Sequence, residues 1–176
     1  LPIYQVLDIY DKLGDMGKVV NTLHRIAMTY SYMHKDEDAF ETSERALNLS
    51  KELKDDRLIS ESYINLGAIQ NELGNKSEGF KSLKKSKKIY QNRNNRDGLG
   101  MITGKIANHF WETGDLDSAM HYIKESFKIH EELGNKSQIL EIVSFMAGFD
   151  HQKGDTESAM GHIDQAMAIS KEIKDR

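Results

Sequence analysis

The sequence predicts an all-α protein of about nine helices, stacked as antiparallel pairs. Three observations support this fold class. A repeat of about forty residues occurs four times without a gap, at 17–56, 57–96, 97–136 and 137–176. Small residues return at equivalent places in every repeat, and each repeat closes on a polar, charged stretch. Periods of this length are typical of stacked supersecondary units rather than of a single globular core.

The first residues align with the second half of a repeat. Shifted by 120 positions, residues 1–16 match residues 121–136. We therefore expect one helix here, belonging to a truncated repeat. The opening residues lack the basic, apolar and small-residue order of a signal peptide. The chain is accordingly expected to start in mid-repeat and to be an excerpt of a longer protein.

Each full repeat predicts two helices joined by a tight turn. In the second repeat, Tyr63, Leu66 and Gly67 have the spacing of three and four that one helix face requires. Gly74 then ends the helix, because a residue free to take positive φ suits that position. His34 replaces this glycine in the first repeat, so the backbone of the turn between its two helices is expected to be slightly more strained. The later repeats predict helices near 98–113, 117–133, 138–153 and 157–174.

Small residues form two columns when the repeats are aligned. The column in the first helices comprises Ala27, Gly67, Ala107 and Ala147. The column in the second helices comprises Ala39, Gly79, Ala119 and Ala159. We expect the two columns to face each other and to let paired helices approach closely. A large residue at such a position would overpack it, at a cost of about 1–3 kcal/mol. Both columns are therefore interpreted as packing positions and not as ligand sites.

These columns resemble the tetratricopeptide repeat in its forty-residue form. The third repeat carries the family pattern at Thr103, Ile106, Ala107, Phe110, Gly114, Ala119, Ile123 and Ser126. Gln70 and Asp150 depart from it, because they stand where the family has an aromatic residue, and the closing proline is missing. The resemblance implies one array over 1–176 with the shape of a right-handed superhelical solenoid. First helices would line a concave groove, and second helices would form the convex side.

Composition and motif spacing disfavour several chemical functions. The chain has no cysteine and no apolar run long enough to span a membrane, and its net charge of −4 argues against a nucleic-acid binder. Residues 98–105 lack the glycine spacing of a phosphate-binding loop. The histidines are not spaced for metal binding on one helix. We predict a cytoplasmic, non-enzymatic protein without catalytic residues, metal or cofactor.

The concave groove is the expected binding site. On the implied plan, helix phase places there His24, Arg25, Met28, Glu61, Asn65, Lys105, Asn108 and Trp111. Asparagine can bind a peptide backbone as donor and acceptor, and arginine can hold a carboxylate through two hydrogen bonds. We therefore expect an extended or helical peptide with an acidic side chain. Trp111 is either an exposed anchor or half-buried between the third and fourth repeats, and both alternatives stay open.

A second candidate surface is basic. Residues 76–96 hold eight lysines and arginines against Glu78 alone, a local charge of +7. The lysines expected on the convex side include Lys81, Lys84, Lys85 and Lys88. A solvated helix face is the simpler interpretation. The alternative is a scaffold that uses this basic patch for an acidic protein, which is favoured, or for nucleic acid or an anionic membrane.

The sequence thus predicts a module that binds a protein or peptide in its groove. Its forty-residue form resembles repeats in bacterial signalling proteins, in spindle-orientation adaptors and in the peptide-sensing regulators of bacilli. A sensory or regulatory region of a signalling enzyme, with its catalytic module outside this chain, is therefore a second hypothesis. The last helix carries Met160, Ile163 and Met167 with no polar capping helix after it. End-to-end self-association at high concentration is expected from this apolar end.

Overall fold

A computed structural model describes residues 2–174 as α-helices joined by short turns, with no strand among them. Within these residues lie nine helices: α1 (Ile3–Lys12), α2 (Met16–Tyr32), α3 (Asp36–Glu52), α4 (Asp56–Glu72), α5 (Lys76–Asn92), α6 (Arg96–Thr113), α7 (Leu116–Glu132), α8 (Lys136–Lys153) and α9 (Thr156–Lys174). The predicted all-α class is confirmed. The helices predicted for the third and fourth repeats begin and end within about two residues of the observed bounds.

The helices form two compact units. The first contains α1 to α5 and ends at Arg93, and the second begins at Asn94 and contains α6 to α9. Each repeat corresponds to one antiparallel pair, namely α2/α3 and α4/α5 in the first unit and α6/α7 and α8/α9 in the second. The helix predicted for the truncated repeat is α1. That residues 1–176 form one continuous array stays a prediction.

Acidic and amide side chains start most of the helices. The carboxylate of Asp15 accepts a hydrogen bond from the backbone N–H of Lys18 at 3.2 Å, and Asp115 accepts one from Ser118 at 3.1 Å. The helices α4, α6 and α8 are capped in the same way by Asp55, Asn95 and Asn135. Such caps satisfy N–H groups that lack an intrahelical partner, and each contributes about 1 kcal/mol. The polar stretch that closes one repeat thus also starts the next.

The turn inside each helix pair requires a residue with left-handed backbone. Gly74, Gly114 and Gly154 take φ values of 78°, 81° and 80° there. His34 takes a φ of 54° at the equivalent place in α2/α3, which costs a residue with a Cβ about 1 kcal/mol. The more strained turn predicted for the first repeat is therefore confirmed.

The two columns of small residues face each other across the helix pairs. A Cβ atom added to Gly67 would lie 3.0 Å from the backbone oxygen of Gly79, and one added to Gly79 would lie 2.9 Å from the oxygen of Gly67. At the equivalent places in α6/α7, Ala107 and Ala119 are fully buried. Close packing at this point leaves no room for a larger residue. The packing interpretation of both columns holds.

Each unit has its own apolar core. In the first unit, the core joins α2, α3 and α4 through Val19, Val20, Leu23, Ala46 and Leu58. In the second, it joins α6, α7 and α8 through Ala107, Ile123, Ile142 and Met146. None of the helices in residues 2–174 combines the length and the apolar character needed to cross a membrane.

Candidate functional site

A cavity of about 290 Å³ opens in the first unit between α1, α2 and α4. Its lining comprises Ile3, His24, Arg25, Met28, Thr29, Tyr32 and Asn65. Four of these residues belong to the set predicted for the groove: His24, Arg25, Met28 and Asn65. The fold therefore brings half of the predicted set together at one opening.

His24 forms the floor of this cavity. Its side chain is buried, and its Nε2 lies 2.9 Å from Oγ of Ser62 on α4. Burial disfavours the charged ring and lowers the pKa of His24 to about 4, so the imidazole is neutral at physiological pH. The sequence predicted His24 for the groove, and the structure places it in the lining of the cavity. It is more deeply buried than expected, because its ring joins α2 to α4.

Arg25 and Asn65 bring hydrogen-bonding groups to the rim. Arg25 is exposed, and no carboxylate in residues 2–174 pairs with its guanidinium. Nδ2 of Asn65 donates to the backbone oxygen of Glu61 at 2.9 Å, which orients the amide. Its Oδ1 takes no part in that bond. An unpaired guanidinium beside an oriented amide suits a carboxylate next to a peptide bond.

Apolar side chains complete the cavity. Ile3 and Met28 are half-buried, whereas Tyr32 is 76% exposed at the end of α2. Sequence reasoning missed Ile3 because nothing in the truncated repeat indicated that α1 covers one edge of this opening. Tyr32 could have been found, since it lies one turn after Met28 on the same helix face.

Glu61 lies on α4 but does not line this cavity. Its carboxylate accepts a hydrogen bond from Nη1 of Arg57 at 2.9 Å. This pair joins neighbouring turns of one exposed helix face, where such pairs contribute little to stability. Glu61 therefore acts on the cavity only through its backbone oxygen, which positions Asn65.

The other residues predicted for the groove belong to the second unit. Lys105 and Asn108 are exposed on α6, and Nδ2 of Asn108 donates to a carboxylate one turn further along at 2.5 Å. The ring of Trp111 is half-buried, with its centroid 5.0 Å from that of Phe145 and 5.8 Å from that of Phe149. Of the two alternatives for Trp111, the structure shows the half-buried one.

The lysines of the basic patch lie on α5, and several hold partners within the first unit. Lys81 pairs with Glu78 at 2.5 Å. The ammonium groups of Lys84 and Lys85 lie over aromatic rings, 4.8 Å and 5.3 Å from the ring centroids. Lys88 is exposed. Contacts of this kind are typical of a solvated helix face whose long side chains cover apolar surface.

The glycine-rich segment 98–105 lies inside α6 and packs against α7. The N–H of Gly98 donates to Oδ1 of Asn95 at 2.9 Å, as part of the helix cap. A Cβ added to Gly100 would lie 2.6 Å from Nε2 of His130, so this glycine makes room for a buried ring. Among residues 2–174, no three histidine or acidic side chains are placed to hold a metal ion.

Residues 18–92 match the family model of the tetratricopeptide repeat. No curated protein sequence matches the chain. Solved structures share its fold at low sequence identity. One is BtubC (BKLC) from P. vanneervenii, with a TM-score of 0.83 and 15% identity over 97% of this chain and 71% of that chain.

Two further solved structures share this fold at similar identity. The signal transduction ATPase PH0952 from Pyrococcus horikoshii, described with a tetratricopeptide repeat sensor, has a TM-score of 0.79 at 16% identity. That match covers 98% of this chain and 27% of the ATPase. The Rap conjugation gene regulator of plasmid pLS20, in complex with the Phr* peptide, has a TM-score of 0.71 at 15% identity, over 88% and 43% of the two chains. The tetratricopeptide repeat model thus matches residues 18–92, and the chain as a whole shares the fold of solved tetratricopeptide-like repeat structures.

Proposed function

We propose that the first unit binds a peptide segment through the cavity between α1, α2 and α4. The observation that carries the proposal is the guanidinium of Arg25, which has no carboxylate partner among residues 2–174 and lines the same cavity as an oriented amide and apolar side chains. At about 290 Å³ the cavity is at the lower limit of ligand pockets, so it suits one or two side chains of a longer segment.

The lining selects the chemistry of that segment. Arg25 would hold an aspartate or glutamate carboxylate, and Oδ1 of Asn65 would accept the N–H of the adjoining peptide bond. Met28 and Ile3 would contact a neighbouring aliphatic side chain, since they form the apolar part of the wall. The ligand is therefore an acidic residue next to an aliphatic one.

The comparisons support an interaction role of this kind. Tetratricopeptide repeats are generally interaction modules rather than catalysts, and the Rap regulator with this fold is seen with a bound peptide. We infer that this chain is likewise non-enzymatic and that its partner is a protein or peptide. The likeness to a repeat sensor in PH0952 favours the second hypothesis, in which peptide capture serves as the input of a signalling enzyme.

The basic patch on α5 is the weaker candidate. Lys81 has an ion-pair partner, and Lys84 and Lys85 lie over aromatic rings, so an acidic protein or nucleic acid would have to compete with these contacts. The guanidinium of Arg25 has no such competitor among the described residues. Peptide binding at the cavity therefore ranks above a scaffold function of the basic patch.

Selection from a phage-displayed hexapeptide library on the intact chain tests the proposal. We expect enrichment of aspartate or glutamate next to leucine, isoleucine or methionine. With a selected peptide, Arg25→Ala should weaken binding by about tenfold, because it removes the charge-assisted pair. The same variant should abolish the preference for an aspartate peptide over its asparagine counterpart.

Arg45→Ala serves as the matched control, because Arg45 is an exposed arginine on α3 that does not line this cavity. Fluorescence anisotropy with the control should give the affinity of the unmodified chain. Selected peptides without an acidic residue, or equal affinities for the two variants, would contradict the proposal.

A further inference from the structure

A cleft of about 500 Å³ opens in the first unit between α1, α2 and α3. It shares no lining residue with the proposed peptide cavity. Part of its lining is apolar, because Met16 and Leu49 are half-buried and Val19 is buried. The remaining lining residues are polar or charged, namely Asp11, Glu41, Glu44, Arg45, Asn48 and Glu52. The cleft therefore combines an apolar surface with an acidic one.

The carboxylates of this cleft lack counter-charges. Asp11, Glu41, Glu44 and Glu52 are all exposed, and none of them has an ion-pair or hydrogen-bond partner among residues 2–174. Arg45 is the only basic residue in the lining. Lysine side chains suit such a surface, because their aliphatic stems can cover apolar residues while their ammonium groups reach carboxylates.

The next repeat carries the opposite charge at equivalent positions. A shift of forty residues places the acidic positions 11, 41 and 44 on Lys51, Lys81 and Lys84. The contrast extends to whole helices, since α3 has six acidic side chains against Arg45 and Lys51, whereas α5 has six lysines against Glu78. Of the nine helices in residues 2–174, α3 is the most acidic and α5 is the most basic. One compact unit thus contains two strongly charged helices of opposite sign.

We infer that two copies of the chain associate through these helices, with the lysines of α5 from one copy in the acidic cleft beside α3 of the other. The helices α3 and α5 are the second helices of consecutive repeats in one unit. A two-fold axis that runs between them and parallel to both places α3 of each copy against α5 of the other. Such an interface is closed, because the same contact is made twice.

The lysines of α5 are able to take part in this contact. Lys88 is exposed and has no ion-pair partner among residues 2–174. The aromatic rings beside Lys84 and Lys85 occupy one side of each ammonium group, which has three N–H donors and can still bind a carboxylate. Lys81 would exchange its exposed pair with Glu78 for another carboxylate, at little cost because exposed pairs contribute little to stability.

Charge complementarity favours a second copy over an unrelated basic ligand. A ligand bound in the cleft would compensate the carboxylates near α3 but would leave the lysines of α5 without counter-charges. The pairing of two copies compensates both helices of each copy at one interface. The alternative arrangements, α3 against α3 or α5 against α5, are disfavoured because they bring like charges together.

Sedimentation velocity of the intact chain at high micromolar concentration is the first test. A dimer is expected in about 0.05 M salt, because exposed charges are weakly screened there. In about 0.5 M salt the dissociation constant should rise about tenfold, because the screening length becomes shorter than the distance between packed helices. A monomer under both conditions overturns the inference. Association that salt does not weaken also overturns it, because it would point to the exposed apolar residues of α9.

Charge reversal identifies the two faces. The variants E41K/E44K and K84E/K88E should each be monomeric in about 0.05 M salt, because each brings like charges together at the interface. An equimolar mixture of the two variants should recover the dimer, because their reversed faces are complementary to each other. A mixture that stays monomeric overturns the inference, and so does dimerisation of either variant alone with the affinity of the unmodified chain.

The matched control is K124E/K128E. Lys124 and Lys128 are exposed on α7 at the positions equivalent to Lys84 and Lys88. This variant changes the net charge by the same amount as K84E/K88E and should leave the dimer intact. Circular dichroism should show unchanged helix content in all variants, because the substituted side chains are exposed. Loss of the dimer in the control would make net charge the cause and would overturn the inference.

Discussion

The helix pairs α4/α5 and α8/α9 occupy equivalent repeats but are joined by different side chains. In α4/α5, the hydroxyl of Ser82 donates to Oε1 of Gln70 at 2.7 Å in a buried position. In α8/α9, the equivalent residues are His162 and Asp150, whose Nδ1 and Oδ2 lie 2.7 Å apart. Gln70 and Asp150 are the two residues that depart from the aromatic pattern of the family, so each departure is matched by its partner helix.

The intervening pair explains why these positions change together. In α6/α7 the equivalent residues are Phe110 and Tyr122, whose rings stack with centroids 5.4 Å apart and planes at 5°. The two positions lie twelve residues apart and are in contact in α4/α5, α6/α7 and α8/α9. An amide meets a hydroxyl in the first pair, two rings stack in the second, and a carboxylate meets an imidazole in the third. Because a buried polar group without a partner is costly, a polar side chain at one position is matched by a polar side chain at the other.

The largest difference between the two pairs is expected when a larger side chain is placed where α4 and α5 approach most closely. A Cβ on Gly79 would lie 2.0 Å from Oδ1 of Asn71 and 2.9 Å from the oxygen of Gly67. Gly79→Val should therefore lower the free energy of unfolding by about 3 kcal/mol. Ala159→Val, at the equivalent position of α8/α9, should cost about 1 kcal/mol, because a Cβ is already accommodated there. Urea denaturation followed by circular dichroism measures both, and equal losses would refute the difference between the pairs.

The next largest effect is expected from acid, because α4 packs against a buried histidine of α2, and α8/α9 has no such contact among the described residues. His24 binds α4 through Ser62, and its pKa is lowered by burial to about 4, against about 6.5 in an unfolded chain. Between pH 6.5 and pH 4, His24 is therefore protonated in the unfolded chain but neutral in the folded chain. The free energy of unfolding consequently falls as the pH falls towards 4. The loss due to His24 should be about 2 kcal/mol at pH 5 relative to pH 7.5.

The variant His24→Gln tests this pH dependence. It should flatten the change in unfolding free energy between pH 7.5 and pH 5, because it removes the titrating ring. Part of the slope should remain, because burial also lowers the pKa of His130, against the opposing charges of Asp97 and Glu141. If the unfolding free energy of His24→Gln depended on pH as steeply as that of the unmodified chain, the lowered pKa of His24 would not be the cause.

The smallest expected effects come from the paired polar residues themselves. Gln70→Ala should cost about 1.5 kcal/mol, because it leaves the hydroxyl of Ser82 buried without its partner. Asp150→Ala should cost about 0.5 kcal/mol, because the side chain of His162 is 30% exposed and can turn to water. Thermal denaturation of both variants tests the order, which the reverse ranking would contradict.

Much of the fold could be predicted from local signals. The turn at His34, the caps that start α4 and α6, and the facing columns at Gly67 and Gly79 all follow from residues close together in the chain. The site was predicted less completely. Helix phase identified the face that carries Arg25, Met28 and Asn65, but it does not predict how deeply each side chain is buried. Phase therefore could not show that His24 is buried or that Ile3 of α1 forms an edge of the cavity.

By itself the sequence determined the helices, their pairing and the repeat, because periodicity, caps and turn residues act over a few positions along the chain. Only the tertiary structure decided which side chains meet. It paired Gln70 with Ser82 and Asp150 with His162, and among residues 2–174 it left the guanidinium of Arg25 without a carboxylate partner. The reason is physical: these contacts depend on the distance and the angle between helices, and those are set by the packing of residues from separate parts of the chain.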